Sequence, residues 1–84
     1  MKEFKNPLNR KVFVNQYGET MVMVMSANAT IWVQHNDCND DFEKLTIFSL
    51  NFILNAEELI AIAGFVKECE NMLEKMIKNL EYPI

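Results

Sequence analysis

The sequence predicts an α+β fold: a four-stranded antiparallel β-meander followed by one long C-terminal α-helix packed on the sheet. Three observations carry this. Apolar residues alternate at period two from Arg10 to His35. Turn formers interrupt that alternation at regular intervals. From Asn55 onward the apolar spacing becomes 3-4-3-4, the spacing of a helix face.

Residues 1–9 read as a polar lead-in containing Pro7, and residues 10–84 as a single domain. The first strand is expected over Arg10–Gln16. A three-residue turn, Tyr17-Gly18-Glu19, follows, with Gly18 supplying positive φ. Thr20–Ser26 is the second strand, with Met and Val in strict alternation. Ala27-Asn28 is read as a two-residue hairpin turn leading into a third strand over Ala29–His35. Asn36–Glu43 is an acidic loop, and Lys44–Ile53 is read as a fourth strand.

Asn55 stands three residues before Glu58, a capping-box spacing at a helix start. Glu57 and Glu58 complement the positive helix N-terminus, and Lys75 and Lys78 the negative end. The helix should run to about Glu81, because Pro83 disfavours a helical Tyr82. Its stripe is Leu59, Ile62, Val66, Cys69, Leu73, Met76 and Leu80, widened by Phe65 and Met72 on one flank and Ala63 and Ile77 on the other. A stripe of this width suits either the chain's own sheet or a second copy's helix, so these residues are the candidate core or dimer surface.

The turn lengths fix the predicted sheet faces. A two-residue second turn sets Val24 opposite Ile31, Val22 opposite Val33 and Met23 opposite Trp32. A three-residue first turn sets Val14 opposite Val22, Val12 opposite Val24 and Phe13 opposite Met23. One face is then aliphatic, and the other is soft and aromatic: Phe13, Met21, Met23, Met25 and Trp32. Met packs adaptably and aromatics are enriched at interface cores, so this second face is a candidate partner-binding surface. The acidic residues Asp37, Asp40, Asp41 and Glu43 form another.

Composition narrows the function classes. Half of the 84 residues are apolar and the net charge is −4. The charge is unevenly placed, +2 over residues 1–35 and −6 over residues 36–84. A nucleic-acid binder usually carries a basic footprint, and only the N-terminal segment offers one. The opening Met1–Pro7 has no apolar core, and the longest apolar run, Leu59–Val66, is too short to span a bilayer. Cys38 and Cys69 form no disulfide framework. The expectation is a cytoplasmic protein with no membrane partner.

Candidate chemistry is sparse. Asp37-x-Asn39-x-Asp41 matches the opening of a calcium loop, but the following position is Phe42 rather than Gly and the twelfth is Phe48 rather than Glu. His35-x-x-Cys38 is half of a zinc site without a second pair. Two glycines are too few for a phosphate-binding loop. No nucleophile, base and orienting group are arranged as a catalytic set. The sequence therefore reads as a non-enzymatic protein without metal or cofactor.

The order of four antiparallel strands and a C-terminal helix over residues 10–81 resembles the PC4-like single-stranded-DNA-binding fold. That resemblance implies a homodimer, with Trp32 and Phe13 stacking bases and Lys2, Lys5, Arg10 and Lys11 contacting phosphates. As a small, acidic, motif-free chain it is also similar to phage and mobile-element inhibitors of host proteins, including anti-CRISPR-type factors. That likeness implies a protein-interaction module with a host protein as partner. A structural subunit that homodimerises is the third expectation.

Overall fold

The computed structural model describes residues 6–35, 41–53 and 55–81. Four strands, β1 (Asn9–Val14), β2 (Thr20–Met25), β3 (Ile31–His35) and β4 (Glu43–Lys44), form one antiparallel sheet in the order β1-β2-β3-β4. A 3₁₀ turn over Ile47–Phe52 and a single helix, α1 (Ala56–Glu81), follow among the described residues. The predicted meander and C-terminal helix are both present.

The fourth strand is much shorter than the expected Lys44–Ile53. Residues 48–52 alternate apolar and polar, which suits a strand. Ser49 offers the backbone a local alternative. Ser49 N–H donates to the Thr46 carbonyl (3.0 Å), and Thr46 N–H donates to Ser49 Oγ (3.2 Å). Such reciprocal bonding competes with a sheet ladder. The segment coils at period three, which buries Ser49 and Phe52 and leaves Ile47 76% exposed.

Both hairpin registers also differ from expectation. In the first, Asn15 N–H donates to the Glu19 carbonyl, so the three-residue loop is 16–18 rather than 17–19. Val12 then faces Val22 and Phe13 faces Met21. This is a slip of two residues, so each side chain keeps its face. In the second hairpin, Ser26 N–H donates to the Thr30 carbonyl, closing a three-residue loop, 27–29, in place of the expected two. Met23 faces Val33 and Val24 faces Trp32. This one-residue slip moves Trp32 to the opposite face from the methionines. The longer loop is held by Ser26, whose hydroxyl proton is shared between Asn28 Oδ1 and the Thr30 carbonyl.

The helix covers the Met face. Phe13, Met21, Met23, Met25 and Val33 from the sheet pack with Ile62, Phe65 and Cys69 from α1 and with Phe52 from the 3₁₀ turn. Phe65 meets Phe13 edge-on, with ring centroids 6.2 Å apart and planes at 89°. Asn9 Nδ2 lies 3.9 Å from Cys69 Sγ, and Gln16 N–H donates to Glu58 Oε2 at 3.1 Å. These three links run up β1 while running down α1, so the helix lies antiparallel to β1.

The capping box forms as predicted. Glu58 N–H donates to Asn55 Oδ1 (2.9 Å), and Asn55 N–H donates to Glu58 Oε1 (3.1 Å). The 26 residues of α1 span about 39 Å at a helical rise, whereas a six-residue strand spans about 20 Å. The helix therefore runs past the sheet. Of its predicted stripe, Ile62 and Cys69 are buried and Val66 and Leu73 are partly buried. Leu59, Met76 and Leu80 are exposed, Leu80 by 79%.

Candidate interaction surface

The sheet has two unlike faces, and burial separates the predicted partner-binding residues. Phe13, Met21, Met23 and Met25 are core residues under α1. Trp32 stands alone of that set on the outer face and is partly exposed. Asp41 and Glu43 are exposed. Asp37 and Asp40 lie outside the described residues, as do Cys38 and most of the calcium-loop match. The structure thus does not bring the predicted residues together as one surface.

The outer face has its own organisation, which sequence reading missed because it depends on the second register. Cross-strand pairing sets Arg10 beside Val24, Val24 beside Trp32, and Trp32 beside Lys44. The row therefore reads Arg10-Val24-Trp32-Lys44 across all four strands. The next row is Val12-Val22-Gln34, and Val14-Thr20 follows. Val22, Val24 and Gln34 are buried, while Val12 is 45% and Val14 61% exposed. Each strand position on this face is apolar, neutral polar or basic. Glu43, the one acid within a strand, pairs with Val33 and so falls on the helix face. A chain with net charge −4 thus presents a sheet face whose only charged strand residues are Arg10 and Lys44.

Lys11 belongs to the helix side, at the edge of β1, with Nζ 5.6 Å from the centroid of the Phe13 ring. The position suits a cation–π contact. The aromatic partner expected to help Trp32 stack bases is thereby buried, on the wrong face, with a cation of its own.

A cleft of about 190 Å³ opens near the start of α1, lined by Phe13, Val14, Phe52, Glu57, Glu58 and Ala61. Four of the six lining residues are apolar and two are glutamates. Glu58 is already engaged in the cap and in the bond to Gln16. His35, the one histidine, lies 6.3 Å from Phe52 between ring centroids, tilted at 44°. Among the described residues no group of three His, Cys, Asp or Glu side chains could hold a metal ion. Burial pushes the Cys69 thiol above its ordinary value of 9.0, the Asn9 amide partly opposes this, and Glu68 adds to the rise. A nucleophilic cysteine needs the opposite shift.

No helix among the described residues is long and apolar enough to cross a membrane. No protein-family model, curated protein or solved structure matches the chain.

Proposed function

We propose that this is a non-enzymatic protein-interaction module that engages its partner through the outer sheet face. The observation behind this reading is the row Arg10-Val24-Trp32-Lys44 flanked by the exposed Val12 and Val14. An aromatic ring with an apolar surround and cations at the rim has the composition of a binding hot spot. The partner it suits is a protein carrying an apolar patch bordered by carboxylates. The narrower form of the reading, a small inhibitor of the kind that phage and mobile elements direct at host proteins, rests on chain size and charge.

Affinity capture with quantified bound protein tests it. Wild type, Trp32→Ala and Arg10→Glu would be compared with Leu80→Glu, which alters the helix end. Loss of the same captured protein with both outer-face variants, and its retention by Leu80→Glu, supports the reading. Equal capture by all four removes the outer face from consideration.

The same row favours a second reading, a single-stranded nucleic-acid binder in which Trp32 stacks a base and Arg10 and Lys44 contact phosphates. Trp32 is the sole tryptophan, so its emission reports directly on this face. Salt-sensitive quenching by oligothymidylate would select this reading. Unchanged emission at low salt would sink it.

A further inference from the structure

The sheet has two edges of very different character. β4 contributes only Glu43 and Lys44 to one edge, while β1 offers six residues at the other. Because Asn15 N–H bonds Glu19 across the first hairpin, the odd-numbered residues of β1 direct their backbone groups toward β2. The even-numbered residues, Arg10, Val12 and Val14, direct theirs outward. The Arg10 N–H is taken by Asn9 Oδ1 at 2.9 Å. An edge of this length with exposed valines is a template for another strand.

We propose that β1 is a self-association edge, on which a second copy of this chain pairs antiparallel about a two-fold axis at Val12. Strand overlap and charge set the register, since axes at Phe13 or Val14 shorten the paired segment. The midpoint of Asn9–Val14 falls between Lys11 and Val12. An axis at Lys11 sets two lysines face to face, and one at Arg10 sets two arginines so. An axis at Val12 pairs Val12 with Val12 of the partner subunit, Arg10 with the partner's Val14, and Lys11 with the partner's Phe13. Like charges are then never opposed. Lys11 already lies against the Phe13 ring within its own strand, so the pairing gives that cation a second ring. Pairing sets Val12 and Val14, exposed apolar residues of the sheet, beside those of the second copy on one continuous outer face.

The helix stays over the edge strand: Ala61, Phe13 and Val14 line one cleft, and Phe65 meets Phe13 edge-on. Helices over the β1–β2 pairs of two copies would sit about 10 Å apart across the axis, within helix-packing range. The short β4 edge cannot repeat the pairing, so assembly closes at two copies instead of extending into a fibre.

Light scattering on a sizing column, from low micromolar to near-millimolar protein, reads the mass. A dimer is expected for wild type. Val12→Lys, which opposes two lysines on the axis, should weaken the dimer at least tenfold while leaving the circular dichroism of the fold unchanged. Val12→Cys supplies a positional test, because residues paired on the axis approach within disulfide range. In a Cys38→Ser background, Val12→Cys should cross-link to a covalent dimer in high yield under mild oxidation, whereas the background alone and Val14→Cys should not. A wild-type monomer at every concentration overturns the proposal. So does a dimer that resists Val12→Lys but is lost in Leu80→Glu, which would assign self-association to the helix end. The outer-face reading survives either result, since its variants are read by partner capture.

Discussion

Gly18 and Ala29 occupy equivalent positions in the two hairpins. Each is the last residue of a three-residue loop, and each has positive φ, 79° and 68° respectively. The loops share one bonding pattern, with Gly18 N–H donating to the Asn15 carbonyl and Ala29 N–H to the Ser26 carbonyl. Three-residue hairpin loops of this kind end in a left-handed residue, which glycine adopts without cost and alanine does not.

Ala29→Gly should therefore stabilise the protein by about 1 kcal/mol, and Gly18→Ala should destabilise it by a similar amount. A Cβ on Gly18 meets nothing within 4 Å, so the effect there is purely one of backbone conformation. In thermal melts each change corresponds to a shift of about 4–8 °C, upward for Ala29→Gly and downward for Gly18→Ala. Equal melting temperatures would mean that the loops tolerate the left-handed region without strain.

Gly64 offers the complementary case. It sits in the middle of α1, and a Cβ there also meets nothing within 4 Å. Gly64→Ala should stabilise by about 1 kcal/mol through helix propensity alone. Denaturant unfolding gives the value directly. A loss of stability, or of partner capture with stability raised, would assign Gly64 a contact outside this chain.

Asn15 organises the first loop. Buried itself, it accepts from Tyr17 N–H and Glu19 N–H through Oδ1, both at 3.0 Å, and donates to Glu19 Oε1 at 2.8 Å. Asn15→Ala should cost about 2 kcal/mol, because two backbone donors lose their acceptor. Asn15→Asp keeps the acceptor and should recover part of that loss only if its repulsion from Glu19 is weak. Urea midpoints of the two variants separate these terms.

The core and the outer face should respond differently to truncation. Met23 is fully buried between β1 and β3 under α1, so Met23→Ala should cost about 2–5 kcal/mol. Trp32 is partly exposed, and Trp32→Ala should cost clearly less. Equal losses in chemical denaturation would place Trp32 in the core and remove the outer-face proposal's footing.

The raised Cys69 thiol makes stability fall in alkali. Below 9.0 folded and unfolded chains both keep the proton, and the thiol's contribution is intact. Above it the unfolded chain loses the proton first, so stability drops until the folded thiol also titrates. Cys69→Ala should remove this alkaline slope from a stability–pH profile. At pH 8 Cys69 of the folded protein, read by peptide mapping apart from Cys38, should alkylate slowly with iodoacetamide, and faster as urea opens the fold. Rapid alkylation without urea would contradict the burial.

The helix and its start were legible from Asn55, Glu58 and the apolar spacing because those signals are local. Alternation in Val12–Val14 and Met21–Met25 was equally local and located the first strands. The position of Trp32 was not legible, since one extra residue in the Ser26–Thr30 loop decides its face. The Thr46–Ser49 exchange likewise overrode a strand-like alternation. The candidate surface inherits both effects: Phe13 and the methionines were correctly placed together, and Trp32 was separated from them by a turn.

Glu58 also links two events in time. Its carboxylate accepts from Asn55 to start α1 and from Gln16, 42 positions earlier in the chain, at the first hairpin. Helix nucleation is the slow, unfavourable part of helix formation, and here the group that assists it also anchors the hairpin. Sheet docking and helix initiation then become a single cooperative step. Glu58→Ala would slow folding more than it speeds unfolding if that step is the transition state.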